Sequence, residues 1–237
     1  NSFIVKGCAG SGKSILALWK VKQIQEENRG SFYFILFTKT LKQYMKDAID
    51  SLNLKNGNIL HYHQWTKAGL PSADYIVVDE AQDLSEDQIK QFKKSAKKAL
   101  ILYGDSAQQI YKFREPRPIT MEHISYVTGF SDEQLVWNYR LPKTIARFAQ
   151  VLSNSNDALE DRCKLEGIEK PKILRFPSLI AQLDAIIGIV RNRNFDDVGI
   201  FLSKNSEVEF AKNYFEKKGF SVEAKFNESM DLNFSNN

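Results

Sequence analysis

Cysteine and long apolar runs are both scarce in this chain of 237 residues. Two cysteines, Cys8 and Cys163, cannot build the disulfide framework of a secreted protein, so we expect a reducing, cytoplasmic location. No uninterrupted apolar run approaches the roughly 20 residues that cross a bilayer. The first residues also lack the pattern of a signal peptide, and we expect no membrane partner.

A strong excess of one charge is absent as well. Lys and Arg number 33 against 29 Asp and Glu, which gives a formal net charge of +4. This mild excess is compatible with a nucleic-acid partner and equally with a solvated lysine-rich surface. Four lysines fall on a predicted helix over 86–98, and we interpret them as a solvated face: Lys93, Lys94, Lys97 and Lys98.

Apolar runs of strand length alternate with segments of helix length. Strands are expected at 3–5, 32–37, 75–78 and 99–103, and helices at 15–27, 41–52 and 86–98. This alternation predicts an α/β fold with a parallel sheet and helices on both faces. Ligands of such folds bind at the carboxyl ends of the strands.

A mostly helical stretch is expected over 119–159, and the alternation then resumes after a linker at 166–171. The later strands are expected at 172–176, 198–202 and 220–224, with helices at 179–191 and 207–217. We therefore predict a first domain over 1–165 and part of a second α/β domain over 166–237.

The phosphate-binding pattern G-x-x-x-x-G-K-[ST] is present as GCAGSGKS, between an apolar run and a helical pattern. Its glycines let backbone N–H groups point at phosphate oxygens, and the following helix adds its positive dipole end. Lys13 is expected to reach the β- and γ-phosphates, and the Ser14 hydroxyl to bind Mg²⁺. At Cys8 a small tolerated residue is favoured over a redox switch. The nucleotide-binding residues are then Gly7, Cys8, Ala9, Gly10, Ser11, Gly12, Lys13 and Ser14.

Two later strands deliver acidic and amide side chains to their ends. Asp79 and Glu80 follow the run at 75–78, where adjacent carboxylates are costly unless a cation or substrate uses them. Asp79 suits Mg²⁺ and Glu80 suits activation of the attacking water, with a solvated acidic turn as the alternative. Gln108, after the strand at 99–103, suits a sensor of the γ-phosphate.

Aromatic and cationic side chains alternate just beyond Gln108, at Tyr111, Phe113 and Arg114. This pattern is typical of sites that stack unpaired bases. The alternative for Phe113 is an ordinary core residue.

These motifs together resemble superfamily 1 helicases, specifically the UvrD/Rep-like branch. The ordered motifs are GCAGSGKS at 7–14, FTKTL at 37–41, HYHQW at 61–65, VVDEAQDL at 77–84, GDSAQQIYKFR at 104–114 and WNYRLP at 137–142. DEAQD followed by GDSAQQIY is far more specific than the phosphate loop. The GD-x-x-Q-L-x-P form, typical of the other large branch, is absent from the chain.

The resemblance implies RecA-like domains and a 3′-to-5′ DNA helicase or translocase that uses ATP and Mg²⁺. It implies that Glu80 is the catalytic base, that Gln108 senses phosphate, that Tyr139 stacks on adenine and that Arg140 reaches the γ-phosphate. Its implied partner is single-stranded DNA, with RNA left open. The implied nucleic-acid contacts are Phe37, Thr38, Lys39, Tyr62, His63, Trp65, Tyr111, Phe113 and Arg114.

Two departures from the family matter for function. The segment between Trp65 and Tyr75 is very short, where many relatives insert a helical arm that grips duplex DNA. Nothing after Val198 matches the fifth or sixth motif, so we expect a truncated core that binds nucleotide and hydrolyses it poorly. The alternatives are a nucleic-acid-gated ATPase switch in a repair or defence complex with protein partners, and a module that merely holds ATP.

Overall fold

The computed structural model of the chain describes residues 1–109, 115–152 and 158–225. It divides into two compact units, Asn1–Pro171 and Lys172–Asn237.

A parallel sheet of six strands forms the centre of the first unit. Its strands are β1 (Phe3–Gly7), β2 (Phe32–Leu36), β3 (Ile59–His61), β4 (Ala73–Val78), β5 (Ala96–Gly104) and β6 (Ser131–Leu135). Their order is β3-β2-β4-β5-β1-β6, and every neighbouring pair is parallel. The predicted α/β fold with a parallel sheet is confirmed. Because β5 alone separates β1 from β4, the loops that follow these three strands lie side by side.

Helices cover both faces of this sheet. They are α1 (Lys13–Glu26), α2 (Lys39–Tyr44), α3 (Lys46–Ser51), α4 (Tyr62–Lys67), α5 (Glu86–Ser95) and α6 (Met121–Thr128). Successive strand residues point to opposite faces, so Ile76 joins one buried cluster and Val77 the other. Burial on both faces explains why the central strands are continuous apolar runs instead of alternating ones.

Helix α5 ends earlier than the sequence indicated, at Ser95. The next residues belong to β5, which pairs with β4 from Ala96 onward, so Lys97 and Lys98 are strand residues. The prediction of a helix over 86–98 is wrong for these positions. Lys93 also does more than face solvent, because its Nζ donates to Thr128 O at 3.0 Å.

The expected helical stretch over 119–159 contains two strands. Strand β6 pairs with β1 from Phe3↔Ser131 to Gly7↔Leu135, and most of its side chains are polar and exposed. A polar edge strand lacks the apolar run by which the inner strands are recognised, which explains the error. The second strand, β7 (Asn138–Pro142), pairs with β8 (Cys163–Leu165), and α7 (Lys143–Gln150) lies between them in sequence.

The second unit contains helices α8 (Leu179–Arg193) and α9 (Asn205–Lys217), near their predicted positions. Its small core combines Leu183, Ile187, Ala211 and Phe215. The strands expected at 172–176, 198–202 and 220–224 do not form in the described part of this unit. A strand needs a ladder partner, and the described residues here provide none.

Among the described residues, no helix has both the length and the apolar character needed to span a membrane. Cys8 and Cys163 are free thiols.

Trp65 is expected to stabilise the first unit more than any exposed tryptophan. It is fully buried and stacks on Phe92 with ring centroids 4.2 Å apart. Trp65→Ala should lower the free energy of unfolding by about 3–5 kcal/mol through the cavity it leaves. Urea denaturation followed by circular dichroism measures the change. Trp19→Ala, at a ring that is 54% exposed, is the matched control; equal losses in the two variants would contradict the packing described.

Candidate functional site

The loop between β1 and α1 has the backbone of a phosphate cradle. Gly10 and Gly12 have φ angles of +77° and +92°, which glycine adopts freely. Helix α1 begins at Lys13, so its free N–H groups face the same loop. Burial raises the pKa of the Cys8 thiol, which favours the interpretation of Cys8 as a small packing residue.

Lys13 lies inside this loop and is 6% exposed. Its Nζ donates to Gly7 O at 2.7 Å and to Cys8 O at 3.2 Å. The ammonium is therefore held in the cradle by the loop's own carbonyl oxygens, in the region where the sequence predicted phosphate contacts.

Asp79 is fully buried at the end of β4. Burial and then the Glu80 carboxylate raise the pKa of Asp79 to about 6, while the neighbouring Ser14 hydroxyl and the positive charge of Lys13 act in the opposite direction. Asp79 Oδ1 accepts a hydrogen bond from Glu80 N at 3.1 Å, but Oδ2 has no partner. A buried carboxylate oxygen without a partner, beside a serine hydroxyl, fits a divalent cation held between them.

The Glu80 carboxylate is held by Gln82. Gln82 Nε2 donates to Glu80 Oε2 at 2.7 Å, and Gln82 Oε1 accepts from Asp105 N at 3.0 Å. Gln82 is 2% exposed, and Gln109 Nε2 donates to its backbone O at 2.9 Å. One buried amide thus links the carboxylate after β4 to the loop after β5, a link that motif spacing alone did not reveal. Gly104 permits this approach, since a Cβ there would lie 2.7 Å from Gln82 Oε1.

Gln108 lies in the same loop, one turn after Asp105. Its Nε2 donates to Asp105 Oδ2 at 2.8 Å, and Asp105 Oδ1 accepts from Ala107 N at 3.0 Å. The side chain expected to sense phosphate is therefore hydrogen-bonded to its own loop, adjacent to the Gln82 network.

The segment Asn138–Arg140 docks on the tip of the phosphate loop. Tyr139 N donates to Gly10 O at 2.8 Å, and Asn138 Nδ2 donates to Ala9 O at 2.8 Å. Tyr139 is 60% exposed, and Arg140 is exposed as well. The first unit thus brings both predicted nucleotide contacts of this motif to the same loop as Lys13.

The expected nucleic-acid residues have different environments. Trp65 is fully buried and Tyr62 is 8% exposed, and both belong to the core. A fully buried ring cannot stack on a base, so we correct the expectation: these two are core residues. His63 is exposed and contacts the Tyr62 ring edge-on.

The motif after β2 remains accessible in part. Thr38 and Lys39 are exposed, while Phe37 packs partly against the core. Thr38 Oγ1 accepts from Leu41 N at 3.1 Å and thereby begins α2. The last group of predicted contacts lies outside the described residues: Tyr111, Phe113 and Arg114.

A basic cluster surrounds His61 at the end of β3. Burial is the main cause that holds the pKa of His61 below its usual 6.5, and the neighbouring basic groups add to it: His63, Lys42, Lys39 and Lys67. Lys42 and Lys67 were not singled out in the sequence. Their positions could have indicated them as candidate contacts. Lys42 lies one turn into α2 and Lys67 ends α4, and each of these helices follows a strand of the sheet.

A glycine loop, a pair of adjacent acids of which Asp79 is buried, and an amide-bearing loop follow adjacent parallel strands. These features define the class of P-loop nucleotide-binding α/β domains. The chain matches the family described as the viral superfamily 1 RNA helicase core domain over residues 3–213. This span covers most of the chain, so the chain belongs to that family. The UvrD/Rep-like branch of superfamily 1 stays a prediction.

None of the curated proteins matches this chain. Among solved structures it is similar to Arterivirus nonstructural protein 10, a helicase in complex with DNA, with 18% identity and a TM-score of 0.45 over 64% of this chain and 40% of that one. The PRRSV helicase has 17% sequence identity to this chain and a TM-score of 0.42, over 65% of this chain and 34% of that one. The flagellar accessory protein FlaH of Methanocaldococcus jannaschii has 20% sequence identity and a TM-score of 0.34, over 52% of this chain and 66% of that one. The chain thus spans about 40% of the first helicase's length.

Asp79 is expected to make folding stability fall as pH rises from about 4 to 6. The folded protein keeps the Asp79 proton up to a pKa of about 6, while the unfolded chain releases it near 3.8. Above pH 6 the buried carboxylate therefore costs up to about 3 kcal/mol. Asp79→Asn should remove that cost and raise stability at pH 7 by about 1–3 kcal/mol.

Urea denaturation at pH 5 and pH 7.5, without Mg²⁺ or nucleotide, measures this effect. Asp47→Asn, at an exposed carboxylate of α3, is the control and should keep the wild-type pH dependence. A pH profile of Asp79→Asn parallel to that of the wild type would contradict the assignment.

Proposed function

We propose that this chain is the nucleotide-binding part of a motor that couples ATP hydrolysis to movement along single-stranded nucleic acid. Membership of the helicase core family supports nucleotide hydrolysis in general. The observation that carries the proposal is the buried, unpartnered Oδ2 of Asp79 beside Ser14 and Lys13. A carboxylate buried at such a cost indicates a site built for a cation and a phosphate group.

ATP and Mg²⁺ fit the residues that are present. Lys13 and the N–H groups of the phosphate loop would bind the phosphates, and Ser14 with Asp79 would hold Mg²⁺. When bound, the cation would supply positive charge to offset that of the phosphoryl group during transfer. The described residues contain no cluster of three acidic, histidine or cysteine ligands for a metal, which agrees with a cation held largely by phosphate and water.

Glu80 is the proposed general base. Its carboxylate would accept a proton from the attacking water, and Gln82 holds Oε2 at 2.7 Å in a defined orientation. Gln108 and Arg140 are proposed to contact the terminal phosphate and Tyr139 the adenine ring. The hydrogen bonds that link Gln82 to Asp105 and Gln109 support coupling between the base and the sensor loop.

Single-stranded nucleic acid is proposed to cross the ends of β2 and β3. Exposed Thr38, Lys39 and His63 support this path, as do the lysines around His61. The phosphate backbone would be held mainly by charge, so both DNA and RNA are candidate strands. Movement toward the 5′ end, the UvrD/Rep-like branch and a cytoplasmic location stay part of the proposal through the sequence resemblance.

The proposed domain organisation is a first RecA-like domain over 1–165 and part of a second over 166–237. Apolar side chains at the expected strand positions of the second unit support an incomplete sheet: Ile173 is 71% exposed and Phe201 is 97% exposed.

A second candidate function is an ATPase switch that does not unwind duplexes. Five residues, 68–72, connect α4 directly to β4, so no arm is inserted at this point. A strand-displacement assay on the full-length protein, run beside an ATPase assay, distinguishes the two. Hydrolysis stimulated by single strands without displacement favours the switch, and displacement favours the helicase.

Glu80→Gln is expected to lower ATP hydrolysis by about 100-fold or more, because a general base contributes about 10²–10⁴ to the rate. ATP affinity should stay near the wild-type value, since the phosphate loop is untouched. Phosphate release by the full-length protein with single-stranded nucleic acid measures the first quantity, and a nucleotide titration the second. Glu86→Gln, at a partly exposed acid of α5 that pairs with Lys90, is the control; unchanged turnover in Glu80→Gln would remove Glu80 as the base.

Lys42→Ala and Lys67→Ala should each weaken binding of single-stranded DNA and RNA and lower the salt slope by about 0.7, because each lysine neutralises one phosphate. Anisotropy titrations with labelled DNA and RNA strands at several salt concentrations measure both effects. Lys94→Ala, at an exposed lysine of α5, should leave the slope unchanged. A wild-type slope in both test variants would move the strand away from His61.

A further inference from the structure

The side chain of Asn138 connects the phosphate loop to the strand that carries Arg140. Its Nδ2 donates to Ala9 O at 2.8 Å, while its Oδ1 accepts from Arg140 N at 2.9 Å and from Leu141 N at 2.8 Å. Asn138 is 7% exposed. One buried amide thus uses its donor and its acceptor on backbone groups of two segments that are far apart in sequence.

The loop and the strand also meet as closely as the backbone allows. A Cβ on Gly10 would lie 2.5 Å from Asn138 Oδ1 and 2.7 Å from Arg140 Cβ. Tyr139 N donates to Gly10 O at 2.8 Å beside this contact. A shift of the loop tip therefore moves the backbone of the strand with it.

Asparagine suits this position because the contact needs a donor and an acceptor on one short side chain. Aspartate keeps the acceptor, but it has no donor for Ala9 O and would add a negative charge beside the phosphate loop. The strand is held from its other side as well, since β7 pairs with β8 at Asn138↔Cys163.

We propose that Asn138 is a positioning residue that fixes the Arg140 backbone relative to the phosphate loop and so aims its guanidinium at the terminal phosphate. The inference rests on the proposed function, from which it takes the role of Arg140. Arg140 is long and exposed, so the anchor of its backbone decides which points its guanidinium reaches. Much of the catalytic rate enhancement of phosphoryl transfer comes from the correct placement of charged groups.

The test is the preference of the chain for ATP over ADP, measured by displacement of a fluorescent nucleotide. Asn138→Ala and Arg140→Ala should each reduce this preference about tenfold, because both would remove the proposed contact with the terminal phosphate. The double variant should be no worse than Arg140→Ala. A general loss of folded protein weakens ATP and ADP binding equally, so a merely structural role leaves the ratio unchanged.

Gln150→Ala is the matched control. It removes a bond of the same kind, from Leu159 N to Gln150 Oε1 at 2.8 Å, without touching the loop, and should keep the wild-type ratio. Two outcomes would show that the positioning role is wrong while the proposed function stands. In the first, the wild type prefers ATP and Asn138→Ala keeps the same preference for ATP over ADP. In the second, the double variant loses more of this preference than Arg140→Ala alone. If the wild type binds neither nucleotide, the positioning role and the proposed function are both wrong.

Amide hydrogen exchange provides a readout that does not depend on nucleotide. Asn138→Ala should speed exchange at the Arg140 and Leu141 amides, whereas Asn138→Asp retains the acceptor and should keep them protected. Wild-type protection in Asn138→Ala would overturn the inference.

Discussion

The parallel pairing of β1 with β5 and of β5 with β4 is the constraint on which the site depends. Register partners Lys6↔Gly104 and Val78↔Leu102 bring the ends of three strands to one edge of the sheet. All strands of a parallel sheet run in the same direction, so the loops that follow them leave the sheet at the same edge. The phosphate loop, the acidic pair and the amide loop are distant in sequence and adjacent in space for this reason alone.

Most polar groups at this edge are satisfied by one another. Lys13 is bonded to loop carbonyls, Glu80 to Gln82, and Gln108 to Asp105. Asp79 Oδ2 is an exception, buried and without a hydrogen-bond partner. This contrast separates the groups already held in place from a carboxylate oxygen whose burial the proposed cation would compensate.

The class of fold could be predicted from the sequence because it produces local patterns, and the position of the phosphate loop could be predicted for the same reason. Buried parallel strands are apolar runs, and the phosphate loop requires glycines at fixed spacing. Strand β6 was missed because it is polar and exposed, and the end of α5 was misplaced because Lys97 and Lys98 carry no strand pattern. Long-range hydrogen bonds, such as those of Gln82, have no such pattern, since they depend on how distant segments pack.

The motif to which a residue belongs also did not show whether its side chain is buried. Trp65 lies in a motif expected to touch nucleic acid, yet its ring stacks on Phe92 in the core. A motif can therefore be retained for packing at one position and for binding at its neighbour. His63, two residues earlier, is exposed, so its proposed contact with nucleic acid stays a prediction.

Glu80 adopts a left-handed backbone conformation, with φ 57° and ψ 43°. A side chain with a Cβ costs about 1 kcal/mol or more there, whereas glycine would relax the strain. Folding stability alone would therefore favour glycine over glutamate at this position. The fold thus holds the Glu80 carboxylate on a strained backbone, and glycine, which would relax that strain, has no carboxylate to offer.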